Sequence, residues 1–113
     1  MSLDVYLMVT KPVSIYEDNI THNLTKMAAE IKLSNGMTLY EVIWRPEEKG
    51  LYYAREISEL LDEGWNIILA EPERLMEFNP ENGWGSYDSL SSFVYNYKNA
   101  CWDNPGAEIR VSR

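Results

Sequence analysis

The sequence holds a single histidine, His22, set in Thr21-His22-Asn23 with Lys26 one turn further on. If a helix begins there, its unpaired backbone N–H groups and dipole favour an anion, and His22, Asn23 and Lys26 would add side-chain donors for a phosphate or carboxylate. The same residues could instead form a capping cluster in which His22 packs or hydrogen-bonds locally. Trp44-Arg45-Pro46 places an aromatic face beside a permanent cation, a pairing suited to stacking and anion recognition together. It suits equally a core indole with Arg45 tied to Glu47 or Glu48. In Asn82-Gly83-Trp84-Gly85-Ser86-Tyr87 two glycines flank an indole. Asn82, Trp84 and Tyr87 could close over a planar ligand, or Trp84 could plug the core beneath a tight turn. Arg110 and Arg113 add two cations able to neutralise phosphate.

Other chemistries find little support. A catalytic histidine needs a nucleophile or an orienting carboxylate, and no partner for His22 can be named, so no catalytic residue is expected. One cysteine, Cys101, excludes an internal disulfide framework, and one cysteine with one histidine cannot build an ordinary structural zinc site. No metal or other cofactor is expected, and there is no phosphate-cradling glycine loop or nucleophile elbow. A net charge of −8 with pI near 4.6 argues against nonspecific nucleic-acid binding. Without a secretion signal or a membrane-spanning run, the expectation is a cytoplasmic protein with no membrane partner.

The elements that would position these residues can be read from hydrophobic periodicity. Leu3, Val5, Leu7 and Val9 alternate with Asp4, Tyr6, Met8 and Thr10, which predicts a strand ended by Lys11-Pro12, with loop through Glu17-Asp18-Asn19. Ile20, Leu24, Met27, Ala28 and Ile31 make one helical stripe. Between Ile31 and Trp44 a hairpin around Asn35-Gly36 competes with a short helix. The helix is preferred, because Thr38 and Glu41 form a capping box ahead of Leu39, Val42 and Ile43. From Tyr53, the positions Ile57, Leu60, Leu61, Gly64, Trp65, Ile68 and Leu69 predict the longest helix, with Gly64 letting another element approach. Its outer face carries Glu56, Glu59, Asp62, Glu63 and Asn66. Pro72 starts a short helix with Leu75, Met76 and Phe78, and Ser86 caps a last one bearing Leu90, Phe93, Val94, Tyr97, Ala100 and Cys101. After the Asp103-Asn104-Pro105-Gly106 turn, Ala107, Ile109 and Val111 alternate in a closing strand. Residues 1–113 thus form one α+β domain, helix-dominated, with the N- and C-terminal strands paired in a small sheet covered by amphipathic helices.

Several stretches together resemble a family of small, uncharacterised proteins of bacteriophages, prophages and some bacteria. They are Thr21-His22-Asn23, Trp44-Arg45-Pro46-Glu47-Glu48, Asn82-Gly83-Trp84-Gly85-Ser86-Tyr87 and the ending Val111-Ser112-Arg113. The resemblance covers most of the chain and departs from the family pattern around Ile31 to Met37. It implies a phage accessory protein in the host cytoplasm, a class that often counters bacterial defence by binding a nucleotide signal or blocking a host protein. The leading expectation is therefore sequestration of a small, nucleotide-like ligand without turnover. Trp44, Trp84 or Tyr87 would stack on a base, and His22, Lys26, Arg45, Arg110 or Arg113 would hold phosphates. The alternative is an inhibitor or adaptor of a host protein working through the acidic helix face, and a third reading is a small-substrate hydrolase using His22. A pocket shared between copies in a homo-oligomer is compatible with the first.

Overall fold

The strand Leu3-Val5-Leu7 lies in the middle of a three-stranded sheet of order β2-β1-β3, formed by β1 (Ser2–Met8), β2 (Ser14–Thr21) and β3 (Glu108–Ser112). The computed structural model describes residues 1–9 and 14–113. Both pairings are antiparallel, with Val5 opposite Asp18 on one side and Val111 on the other. Leu3, Val5 and Leu7 are fully buried, as their alternation requires. Val9 lies beyond the strand and is exposed.

β2 is a correction to the sequence reading, which placed Glu17-Asp18-Asn19 in a loop; the proposed stop at Lys11-Pro12 lies outside the described residues. Its alternation is hidden because polar residues occupy both faces. Tyr16, Asp18 and Ile20 are partly or fully buried, and the Tyr16 hydroxyl donates to Asp18 Oδ2 at 3.0 Å. A carboxylate is tolerated there because β2 is an edge strand with water close by, and such charges also discourage edge-to-edge aggregation. Ile20 therefore belongs to this strand rather than to a helical stripe. The chain then passes through a 3-10 turn at His22–Leu24 into a short α1 (Thr25–Ala29), with Leu24, Met27, Ala28 and Ile31 all buried.

The stretch from Ile31 to Trp44 contains both structures that competed for it. A tight turn at Ser34-Asn35-Gly36 is closed by Leu33 N–H donating to Met37 O at 2.8 Å, and α2 (Leu39–Trp44) comes directly after it. The capping box forms as expected, Glu41 N–H donating to Thr38 Oγ1 and Thr38 N–H to Glu41 Oε1.

The two long helices are α3 (Ala54–Ala70) and α5 (Tyr87–Asp103), separated by α4 (Pro72–Met76). They run antiparallel, since the Tyr87 hydroxyl donates to Ile68 O, Trp65 meets Tyr95, and Lys98 pairs with Asp62. α5 covers the sheet through β2, where the Tyr97 and Tyr16 rings stack. The first N–H groups of α3 are satisfied by the turn before β3: Ala54 N–H donates to Ala107 O and Arg55 N–H to Pro105 O. Gly64 does admit another element, because a Cβ there would lie 2.8 Å from Leu39 Cδ1 of α2. Leu69 and Met76 fall outside the core and are exposed. No described helix is long and apolar enough to cross a membrane.

Two groups inside the core, Tyr97 and Cys101, and the half-buried Tyr16 beside them have little to stabilise their charged forms. Burial holds the Tyr97 hydroxyl well above its ordinary 10.0, and raises Tyr16 in the same direction, aided by the neighbouring Asp18 carboxylate. Burial also pushes the Cys101 thiol from 9.0 up to about 12. The unfolded chain releases these protons at the ordinary values while the folded chain keeps them. The stability these three groups contribute is therefore fully present below about pH 9 and falls as pH rises towards 12. Urea unfolding at pH 8 and pH 11 should show that loss. The Tyr97 hydroxyl also has no hydrogen-bond partner among the described residues, so Tyr97→Phe should raise stability at pH 8 by about 1 kcal/mol and lessen the alkaline decline.

Candidate functional site

His22 is fixed by the core. The Trp44 Nε1–H, from a side chain only 1% exposed, donates to His22 Nδ1 at 2.9 Å. An imidazole that accepts at Nδ1 while neutral carries its proton on Nε2, so the other edge of the ring is a donor. Among the described residues no carboxylate orients this histidine, and because Nδ1 accepts from Trp44, the ring is arranged to donate from Nε2.

His22 lines a cleft of about 530 Å³ together with Asn23, Thr25, Lys26 and the stretch Glu77-Phe78-Asn79-Pro80-Glu81. The two sides differ in chemistry. Residues 22–26 bring donors: the imidazole N–H, the Asn23 amide and the Lys26 ammonium. Residues 77–81 bring the Phe78 ring, a proline and the carboxylates of Glu77 and Glu81. Lys26 forms no ion pair among the described residues, although most cations of this acidic chain are paired.

The donors are side chains, not a helix terminus. The expected anion site at a helix start is absent in that form, because the opening element is a 3-10 turn of 3 residues. Its backbone donors are taken: His22 N–H bonds to Met1 O and Asn23 N–H to Thr21 Oγ1.

The second side is held against the first by the glycine loop. Gly85 has φ +97°, and a Cβ there would lie 2.7 Å from Thr21 Cγ2 and 3.2 Å from Leu24 Cδ1. Asn79 Oδ1 accepts from Tyr87 N–H at 2.8 Å, and Asn82 Oδ1 from Trp84 N–H at 2.9 Å, so both asparagine oxygens brace the loop.

The remaining candidates do not converge on the cleft. Trp44 is a core residue, its ring against Tyr40 as well as His22, and its faces are closed to a ligand. Arg45 donates to Glu48 Oε2 and Tyr40 Oη. Arg113 Nη1 donates to Trp44 O and Glu47 Oε1, and this bond keeps the Glu47 carboxyl below its ordinary range. Tyr87 is buried with its hydroxyl bonded to Ile68 O. Arg110 pairs with Glu108 and borders a separate depression with Tyr6, Met8, Ser14 and Glu17. Trp84 is 71% exposed on the loop and is absent from the cleft lining. Sequence reasoning missed Phe78 as the cleft aromatic. Its place in Phe78-Asn79-Pro80, directly before the glycine loop, was the available signal.

The chain matches no protein-family model, no curated protein and no solved structure with which it was compared. Among the described residues, no group of three or more His, Cys, Asp or Glu could hold a metal ion.

The loop makes a direct test of how the cleft is held. Gly85→Ala combines a left-handed backbone with a clash against Thr21 and should cost about 2–4 kcal/mol in urea unfolding. Gly83, at φ +76° in open space, should cost only about 1–2 kcal/mol when changed to Ala.

Proposed function

We propose that this protein binds a small nucleotide-like ligand in the cleft between residues 22–26 and 77–81, without turning it over. The observation that carries this reading is the Trp44–His22 bond, which fixes the orientation of the cleft histidine beside Lys26, a cation with no ion pair among the described residues. Phosphate would lie on the donor side. A base would lie against Phe78, and its exocyclic amine or the ribose hydroxyls would donate to Glu77 and Glu81. Those carboxylates disfavour a bare anion, which is why a nucleotide fits better than inorganic phosphate. Among the described residues no carboxylate orients His22, which supports binding over hydrolysis. The resemblance to small phage proteins supports a host nucleotide signal as the ligand and sequestration as the purpose.

A second reading rests on a different surface. Leu69, Tyr95 and Trp102 are 55%, 47% and 51% exposed along α3 and α5, with Trp65 packed on Tyr95. Exposed aromatics of this kind serve protein contacts. The acidic helix face contributes less to such a contact, because Glu56 caps α3 and Glu63 accepts from Ser34.

Calorimetric titration with cyclic and linear nucleotides tests the first reading. Lys26→Ala and Phe78→Ala should each weaken binding about tenfold or more, and Arg110→Ala should leave it unchanged. No saturable heat with any nucleotide, alongside host-protein capture lost on Trp102→Ala, would replace it with the second.

A further inference from the structure

The large cleft does not end at Lys26. A second depression of about 230 Å³ is lined by Thr25, Lys26, Ala29 and Tyr40, and Thr25 and Lys26 line both. The two spaces therefore meet at Lys26, which has no ion pair among the described residues, with an aromatic in each: Phe78 in the larger and Tyr40 in the smaller. Tyr40 is held in place, its ring stacked on Trp44 at 5.7 Å and its hydroxyl accepting from Arg45 Nε at 3.2 Å. We propose that the ligand is a dinucleotide, one base on Phe78, the other on Tyr40, and a bridging phosphate at Lys26. This inference rests on the nucleotide reading of the larger cleft.

The chemistry selects this class over a mononucleotide. A single base and phosphate would use Phe78 and Lys26 and leave the Tyr40 space to water. A second base joined through the phosphate would enter that space with most of its translational freedom already lost, so its stacking adds directly to affinity. Among the described residues that line it, the smaller space offers Thr25 and the Tyr40 hydroxyl as neutral side-chain hydrogen-bonding groups, so it accepts a base by stacking more than by edge recognition. Selectivity for base identity should then reside at the Glu77–Glu81 end.

The experiment compares 5′-mononucleotides with the matching 3′,5′-linked and cyclic dinucleotides by calorimetry, in the wild type and in Ala29→Phe, which fills the smaller space alone. At least one dinucleotide should bind tenfold or more tightly than its component mononucleotides, and Ala29→Phe should reduce it to the wild-type mononucleotide affinity. Thermal unfolding checks that the variant is folded, and Ala29→Leu serves if Phe is not accommodated. A dinucleotide that binds no better than its mononucleotides, or an advantage that survives in the folded variant, overturns the proposal while leaving mononucleotide binding in the larger cleft intact. Failure of every nucleotide to bind overturns both.

Discussion

The Trp44 indole is the point through which several parts of the molecule are fixed at once. It is buried, its Nε1–H is committed to His22, its ring lies against Tyr40, and its carbonyl accepts from Arg113. A buried indole N–H without a partner costs about 1–3 kcal/mol, so the histidine satisfies the core as much as the core orients the histidine. Through these contacts α2 sets the angle of the imidazole in the cleft, the position of the Tyr40 ring and the end of the chain beyond β3. A core residue thereby orients side chains of the cleft without lining it itself, as a supporting layer positions the groups in front of it.

The other wall depends on a different kind of constraint. Residues 77–81 contribute few buried side chains of their own, yet they are placed by a loop with little freedom. Gly85 must be glycine for its backbone angle and for the closeness of Thr21, and Asn79 and Asn82 spend their oxygens on loop N–H groups. The indole of Trp84 stands in solvent while the glycine beside it does the packing.

The helical half of this architecture was legible because its apolar residues recur at a clear period and its ends carry capping chemistry. Thr38 with Glu41, Ser86 before α5 and Pro72 at the start of α4 all lie where the sequence places them. The pairing of the terminal strands was also readable, from alternation at Leu3-Val5-Leu7 and Ile109-Val111. β2 was not, because Tyr16 and Asp18 satisfy each other on a half-buried face and break the apolar pattern by which strands are recognised. The site was legible only where its residues are neighbours in sequence. His22, Asn23 and Lys26 stay together for that reason, whereas Phe78 joins them through a loop contact that no spacing reveals. Arg45 pairs with Glu48, one of the two carboxylates its sequence neighbourhood offered, whereas Arg113, read as a phosphate ligand, is tied to Glu47 across a distance in sequence that no spacing reveals.

The pairing of β1 with β3 also bears on how the molecule is made. Residues 4–8 join residues 108–112, almost the whole length of the sequence later, while β1 and β2 adjoin and the α3–α5 pair is separated only by α4 and the glycine loop. Contacts of such long range carry the largest loop-closure entropy and set the pace of folding. During synthesis the middle strand would wait with one edge open until residues 108–112 emerge, and the acidic β2 on its other edge would meanwhile give a neighbouring nascent chain a poor template for pairing.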